Sequence, residues 1–206
     1  MERQWAQRTM LDDLSAAAII GAPILMLASY TASAIGQGFQ RDQIGGVLQV
    51  YAYAAFIPVI MGLTRLVQSA SPRTAGLIAV LGMLGVAGAV AYGVDHIQFG
   101  FYGVALDTRS ASEAQTVGTA GWLALRIPGI SFPIAMLGLS LLLIRASVEP
   151  RWCAPVLGLG AILFPVGNIV QIEALRVATA GLFLVALAPI GWHLLEQHRT
   201  VPSGPA

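Results

Sequence analysis

The chain has 206 residues, of which 56% are hydrophobic and only 10% charged, with a mean hydropathy of +0.75. A water-exposed domain carries about 25% charged residues, so this composition excludes a soluble globule and makes lipid the solvent for much of the exterior. The formal net charge is +1, and no basic tract is present that would bind nucleic acid.

All 11 basic residues are arginine. With no lysine there is no Schiff base, which excludes retinal and pyridoxal-phosphate chemistry. The single cysteine, Cys153, permits neither an intramolecular disulfide nor a thiolate-rich metal site.

Crossing the hydrocarbon core as a helix takes about 20 apolar residues. Six stretches qualify: 14–36, 44–66, 74–97, 127–144, 152–171 and 177–195. The expected fold is therefore an all-α membrane bundle, a single polytopic domain over 1–206, ending in a short tail over 196–206. The last division is the weakest, because Glu173 and Arg176 alone separate two long apolar runs. Two helices are still expected there, since one helix over both would be about twice the membrane thickness. Ala32-Ser33-Ala34 imitates a signal-peptide cleavage site, but the first apolar run is too long for one, and Asp12 and Asp13 stand where positive charge belongs.

With the N-terminus in the cytoplasm, the cytoplasmic segments hold Arg3, Arg8, Arg65, Arg73, Arg145, Arg151 and Arg199, and the outer ones Arg41, Arg109, Arg126 and Arg176. The positive-inside rule then puts both termini in the cytoplasm. Trp5, Trp152 and Trp192 fit the inner interface as anchors.

Proline recurs within the spans at Pro23, Pro58, Pro128, Pro133, Pro165 and Pro189. Each removes a backbone hydrogen bond, which suits either ordinary bundle packing or a hinge. The third span carries Gly82, Gly85 and Gly88. Small residues at this spacing let another backbone approach, which places the helix centrally or at an oligomer contact. Ser71-Pro72-Arg73 and Glu149-Pro150-Arg151 each stand the same distance before a Leu-Gly pair, as a duplicated hairpin would.

Ionisable groups inside a membrane are costly and are the first places to look for function. Depth arithmetic sets Arg126 at the outer surface if Arg145 marks the inner one, because the 19 residues between them rise about 30 Å. Asp95, His96, Asn168, Gln171, Glu173 and Arg176 belong at the same outer level. These seven residues form the candidate site, for a small polar or anionic ligand, with Arg126 as counter-charge. The segment 98–116 would fold over it with Phe99, Phe101 and Tyr102. His193 and His198 lie at the opposite end from His96, which argues against a bis-histidine haem. No metal, nucleophile-elbow or cofactor motif appears, and none is expected.

Val148-Glu149-Pro150-Arg151-Trp152, running on to Phe164-Pro165-Val166-Gly167-Asn168, resembles a pattern in small polytopic bacterial membrane proteins of unassigned function. A Pro-Arg-Trp turn there leads into a span ending in a Phe-Pro-Val-Gly break. The resemblance implies a bacterial inner-membrane protein and transfers no activity. Three functions fit these features, in this order. The first is a non-enzymatic membrane component (subunit, sensor or scaffold). The second is a small-solute or ion transporter or channel component with a polar site at the outer mouth. The third is a membrane enzyme acting on lipid or quinone.

Overall fold

The structure is a computed structural model that describes residues 10–36, 42–106, 127–170 and 172–200, with side chains at 11, 99–106 and 198–200 outside the description. Six helices account for nearly all of these residues: α1 (Met10–Ile35), α2 (Gln43–Val67), α3 (Pro72–Leu106), α4 (Ile127–Arg145), α5 (Cys153–Val170) and α6 (Glu173–Thr200). Each is long and apolar enough to cross a membrane. The protein is a multi-pass, all-α membrane protein.

Each helix packs on the next in sequence, and α6 returns to pack on α1. The helices thus close into a ring, with a small direct contact between α2 and α4 across it. Neighbours run antiparallel. Gly45 of α2 lies against Ser33 of α1 and Gly62 against Ser15, while on the α3–α4 seam Gly88 meets Gly129 and Gly138 meets Ile78.

Side chains fill the ring's axis. Phe132 of α4 is the hub, in ring contact with Tyr53 and Phe56 of α2 at centroid distances of 5.1 Å each, with Phe164 of α5 at 5.5 Å and with Phe183 of α6 at 6.2 Å. The edge-on arrangement of Tyr53 and Phe56 against Phe132 suits the aromatic quadrupole. Ile60, Leu63, Met136, Leu139 and Leu157 continue the core toward the other end. Outward-facing Ile, Leu and Val side chains such as Leu77, Val80, Leu141 and Ile162 are exposed, as lipid-facing residues should be.

The glycine face of α3 is used within the chain. A Cβ on Gly85 would collide with the backbone of Phe132, and one on Gly88 would stand 2.6 Å from the Gly129 nitrogen. Gly82 faces the tip of Ile60 at 2.9 Å. Small residues are what bring α3 and α4 backbones together. Pro23, Pro58, Pro133, Pro165 and Pro189 all sit inside continuous helices, which neighbouring helices make tolerable.

Helix ends follow local chemistry. Asp42 caps α2, its carboxylate accepting from Gly45 N at 2.8 Å. At the end of α4, Ser147 takes a positive φ of 52° and Val148 N donates to Leu143 O at 3.1 Å, a Schellman closure. The two proline-arginine turns are built differently: Pro72 is the first residue of α3, whereas Pro150 lies in the turn before α5 starts at Cys153.

Several helix ends extend beyond the sequence expectation: α1 begins at Met10, α3 continues to Leu106, and α6 begins at Glu173, four residues earlier than the apolar pattern indicates, and runs to Thr200, into the expected tail. The α5–α6 break is correspondingly short. Ile172 N donates to Gly167 O at 3.2 Å, and Ile172 O accepts from Arg176 N at 3.1 Å. Arg176 is thus in the first turn of a helix rather than in a loop.

Candidate functional site

The two ends of the bundle differ in how they treat arginine. Arg65, Arg73, Arg145 and Arg151 are exposed and cluster at the end formed by the α2–α3 and α4–α5 turns. Arg65 pairs there with Asp12 of α1 at 3.3 Å. At the other end, where α1, α3 and α5 finish and α2, α4 and α6 start, Arg176 is only 2% exposed. The two ends are called here the arginine end and the polar end.

Gly167 explains how α6 delivers that guanidinium to the interior. A Cβ at this position would stand 3.3 Å from Arg176 N and 3.4 Å from its Cγ. Glycine therefore lets the first turn of α6 press against the end of α5. Arg176 Nη2 lies 3.4 Å from the Asn168 carbonyl, and Asn168 Nδ2 donates back to Phe164 O at 2.8 Å. Glu173, one turn before Arg176 and half-buried, is within electrostatic reach of it.

His96 arrives from α3, 1% exposed. Gly46 and Gly93 bring α2 and α3 together, so that the Gly46 Cα faces the His96 Cβ and the Gly93 carbonyl. Gln49, buried on α2, donates from Nε2 to Ala89 O at 3.2 Å and spans the same seam. Tyr92 lies edge-on to the imidazole at 6.4 Å between ring centroids. The guanidinium acts electrostatically on both His96 and Tyr30.

Tyr30 of α1 and Tyr53 of α2 carry the polar groups further inward. Their buried hydroxyls are 3.1 Å apart, and Asn168 stands within hydrogen-bonding reach of Tyr30. Ser29 Oγ donates to Gly45 O at 2.8 Å and fixes α1 against α2 beside them. Tyr53 is ten residues beyond Gln43, the first residue of α2, which is about 15 Å of helix and near mid-bilayer depth. Below it stands Phe132.

The result is a polar column fed by five helices, from Arg176, His96 and Asn168 through Tyr30 to Tyr53, closed beneath by the aromatic cluster. Its chemistry is rich in donors: a guanidinium, an imidazole, a carboxamide and two phenols. Such a set solvates an oxyanion or a carbonyl oxygen. Among the described residues, no three His, Cys, Asp or Glu side chains gather where they could hold a metal ion.

Of the residues singled out from sequence, Asp95, His96, Asn168, Glu173 and Arg176 all lie at the polar end. His96 and Arg176 are buried, while Asp95, Asn168 and Glu173 are half-buried. Arg126 and Gln171, the side chains of Phe99, Phe101 and Tyr102, and the rest of the segment to residue 116 lie outside the described residues, as does Trp5. Tyr30, Gln49 and Tyr53 were missed. Depth arithmetic would have found the first two: Tyr30 is five residues from the end of α1 and Gln49 six from the start of α2, only slightly deeper than Arg176.

Fold and site together define a multi-pass helical membrane protein, with six spans among the described residues and a buried polar column at one end. Family models, curated proteins and solved structures were all compared with the chain, and none matches.

Proposed function

We propose that the protein is a non-enzymatic membrane component, a sensor or receptor subunit, whose working part is the polar column. The ligand is a small anion or carbonyl-bearing solute received at the polar end. We place the protein in a bacterial inner membrane with both termini cytoplasmic. The four exposed arginines at one end support that orientation, since cytoplasmic loops collect Arg.

One observation carries the reading: Arg176 and His96 are both buried at the polar end within electrostatic reach of each other, and the guanidinium is likewise within reach of Tyr30, whose hydroxyl pairs with that of Tyr53. Groups this costly to bury in lipid mark a working site by default. The first turn of α6 presses against the end of α5 at Gly167, so a ligand is admitted when that turn moves off α5. That movement supplies two states, and a ligand bound in the open one shifts the balance between them. An assembly built on Gly82, Gly85 and Gly88 has no part in this reading, because those positions are taken up by α2 and α4.

A transport function would require Phe132 and its neighbours to leave the axis, and the closed aromatic cluster favours reception over conduction. The test is ligand-dependent stability of the purified protein in nanodiscs. Inorganic phosphate, sulfate and short carboxylates are screened, and a ligand at 100 times its Kd adds about 2.7 kcal/mol. Arg176→Gln should abolish the gain. A panel without any stabilising anion, or equal stabilisation of Arg176→Gln, would end the proposal.

A further inference from the structure

The four exposed arginines at the arginine end are not equivalent. Arg65 is paired with Asp12 at 3.3 Å and Arg151 with Glu149 at 2.9 Å. Arg73, the second residue of α3, and Arg145, the last of α4, meet no carboxylate among the described residues. The other acidic side chains at this end, Asp13 on α1 and Glu196 on α6, stand on helices that make no contact with α3 or α4 among the described residues. One side of the ring therefore carries two uncompensated cations.

The α3–α4 seam brings those cations to one depth. The two helices are antiparallel neighbours, and a Cβ on Gly138 would meet Ile78 Cδ1 at 2.8 Å. From that crossing toward the arginine end, Arg73 is five residues along α3 and Arg145 seven along α4. Those steps rise about 7.5 Å and about 10.5 Å, so the two positions differ by about 3 Å in depth. Arg145 is two turns from Gly138 and shares the side of α4 that meets α3. Beneath them the surface is apolar. Leu77 and Leu84 follow Arg73 by four and eleven residues, and Leu141 and Ile134 precede Arg145 by the same intervals. All four are exposed, so each arginine heads a lipid-facing apolar stripe on its own helix.

We infer that the outer side of the α3–α4 seam binds one anionic phospholipid, its phosphate held between Arg73 and Arg145. Its acyl chains lie along Leu77 and Leu84 of α3 and Leu141 and Ile134 of α4. Guanidinium forks match phosphate oxygens in pairs, and basic sites between helices at the membrane surface take anionic headgroups. A zwitterionic headgroup is disfavoured, because its ammonium would meet two cations and no carboxylate. The polar column, at the other end of the bundle, takes no part.

Native mass spectrometry of the full chain in mild detergent tests this, with phosphatidylglycerol, phosphatidylethanolamine and phosphatidylcholine added at equal concentration. One phosphatidylglycerol should be retained preferentially. Arg73→Gln and Arg145→Gln, both at exposed positions outside the core, should each lower that retention about tenfold, the loss of one charge-assisted hydrogen bond. Arg65→Gln and Arg151→Gln, whose guanidiniums are already paired, should leave it unchanged. Added glycerol phosphate should not displace the lipid, because it lacks the chains that cover the apolar stripes. Equal retention of the three lipids would show that no headgroup is selected. Equal loss in all four variants would reduce the effect to net charge, and displacement by glycerol phosphate would make this a site for a soluble phosphate. Any of these three results overturns the assignment.

Discussion

A series of glycine-to-alanine substitutions along α3 should separate four environments on one helix by the same chemical change. At Gly76 an added Cβ meets nothing within 4 Å, so alanine should stabilise by about 1 kcal/mol, the ordinary helix-propensity gain. At Gly82 the obstacle is the far end of the Ile60 side chain at 2.9 Å. A small rotamer shift there cancels the gain, leaving a net change of about zero. At Gly85 the obstacle is the backbone nitrogen and Cα of Phe132, and at Gly88 the Gly129 nitrogen at 2.6 Å and Pro128 Cβ at 2.7 Å. Backbone cannot step aside. Restoring ordinary contact requires the α3–α4 seam to open by about 1 Å, which forfeits dispersion along its length and should cost about 3 kcal/mol. Cys153, the sole cysteine and 0% exposed, supplies the assay: its labelling by a membrane-permeant maleimide reports opening of the fold. At tenfold per 1.4 kcal/mol, Gly85→Ala and Gly88→Ala should label about 100-fold faster than the parent chain, and Gly76→Ala several-fold slower. If all four variants label alike, the α3–α4 packing described here is wrong.

Phe132→Ala removes the ring that joins α2, α5 and α6, and should destabilise by about 3–5 kcal/mol in the same assay. Tyr53→Phe deletes one of two hydroxyls 3.1 Å apart and leaves Tyr30 with Asn168, for a loss of about 1 kcal/mol; Tyr30→Phe combined with Tyr53→Phe should cost less than the sum of the two single changes. Asp12→Asn breaks an ion pair whose partners are 46% and 36% exposed, so thermal unfolding should shift by less than about 1 kcal/mol, and less still at high salt.

The six spans could be read in advance because lipid demands a length and an apolarity that few other roles impose. In α2 and α4 the expected ends agree with the observed ones to within a residue at each end. α6 shows where the reading fails. Glu173 and Arg176 looked like a boundary because charge was taken to exclude a residue from an apolar helix. Glu173, however, stands in the first turn, where a carboxylate complements the helix N-terminus. Arg176 follows three residues later, at the end of that turn, and is enclosed by the ring. A sequence records that a charge is present and not which neighbours will bury it. The enclosure depends on Gly167 in α5 and on the return of α6 to α1, and neither is a local property.

The same limit accounts for the tyrosines. A tyrosine in a span reads as an interfacial anchor or as core bulk, and Tyr51, 63% exposed on the outer face of α2, behaves as the former. Tyr53 is two residues away, but 200° further round the helix at 3.6 residues per turn. That rotation turns it from lipid to the axis, where Tyr30 is waiting on α1. Which of the two faces inward is decided by Gly45 and Gly46, on adjoining faces of the α2 N-terminus, one admitting α1 and the other α3. With both seams tight, α2 has no freedom to rotate, and Gln49 and Tyr53 are committed to the interior. A polar column in a lipid-solvated bundle thus rests on the least polar residues it contains. Bulky replacements at Gly45 or Gly46 would dismantle the column while leaving every polar side chain in place.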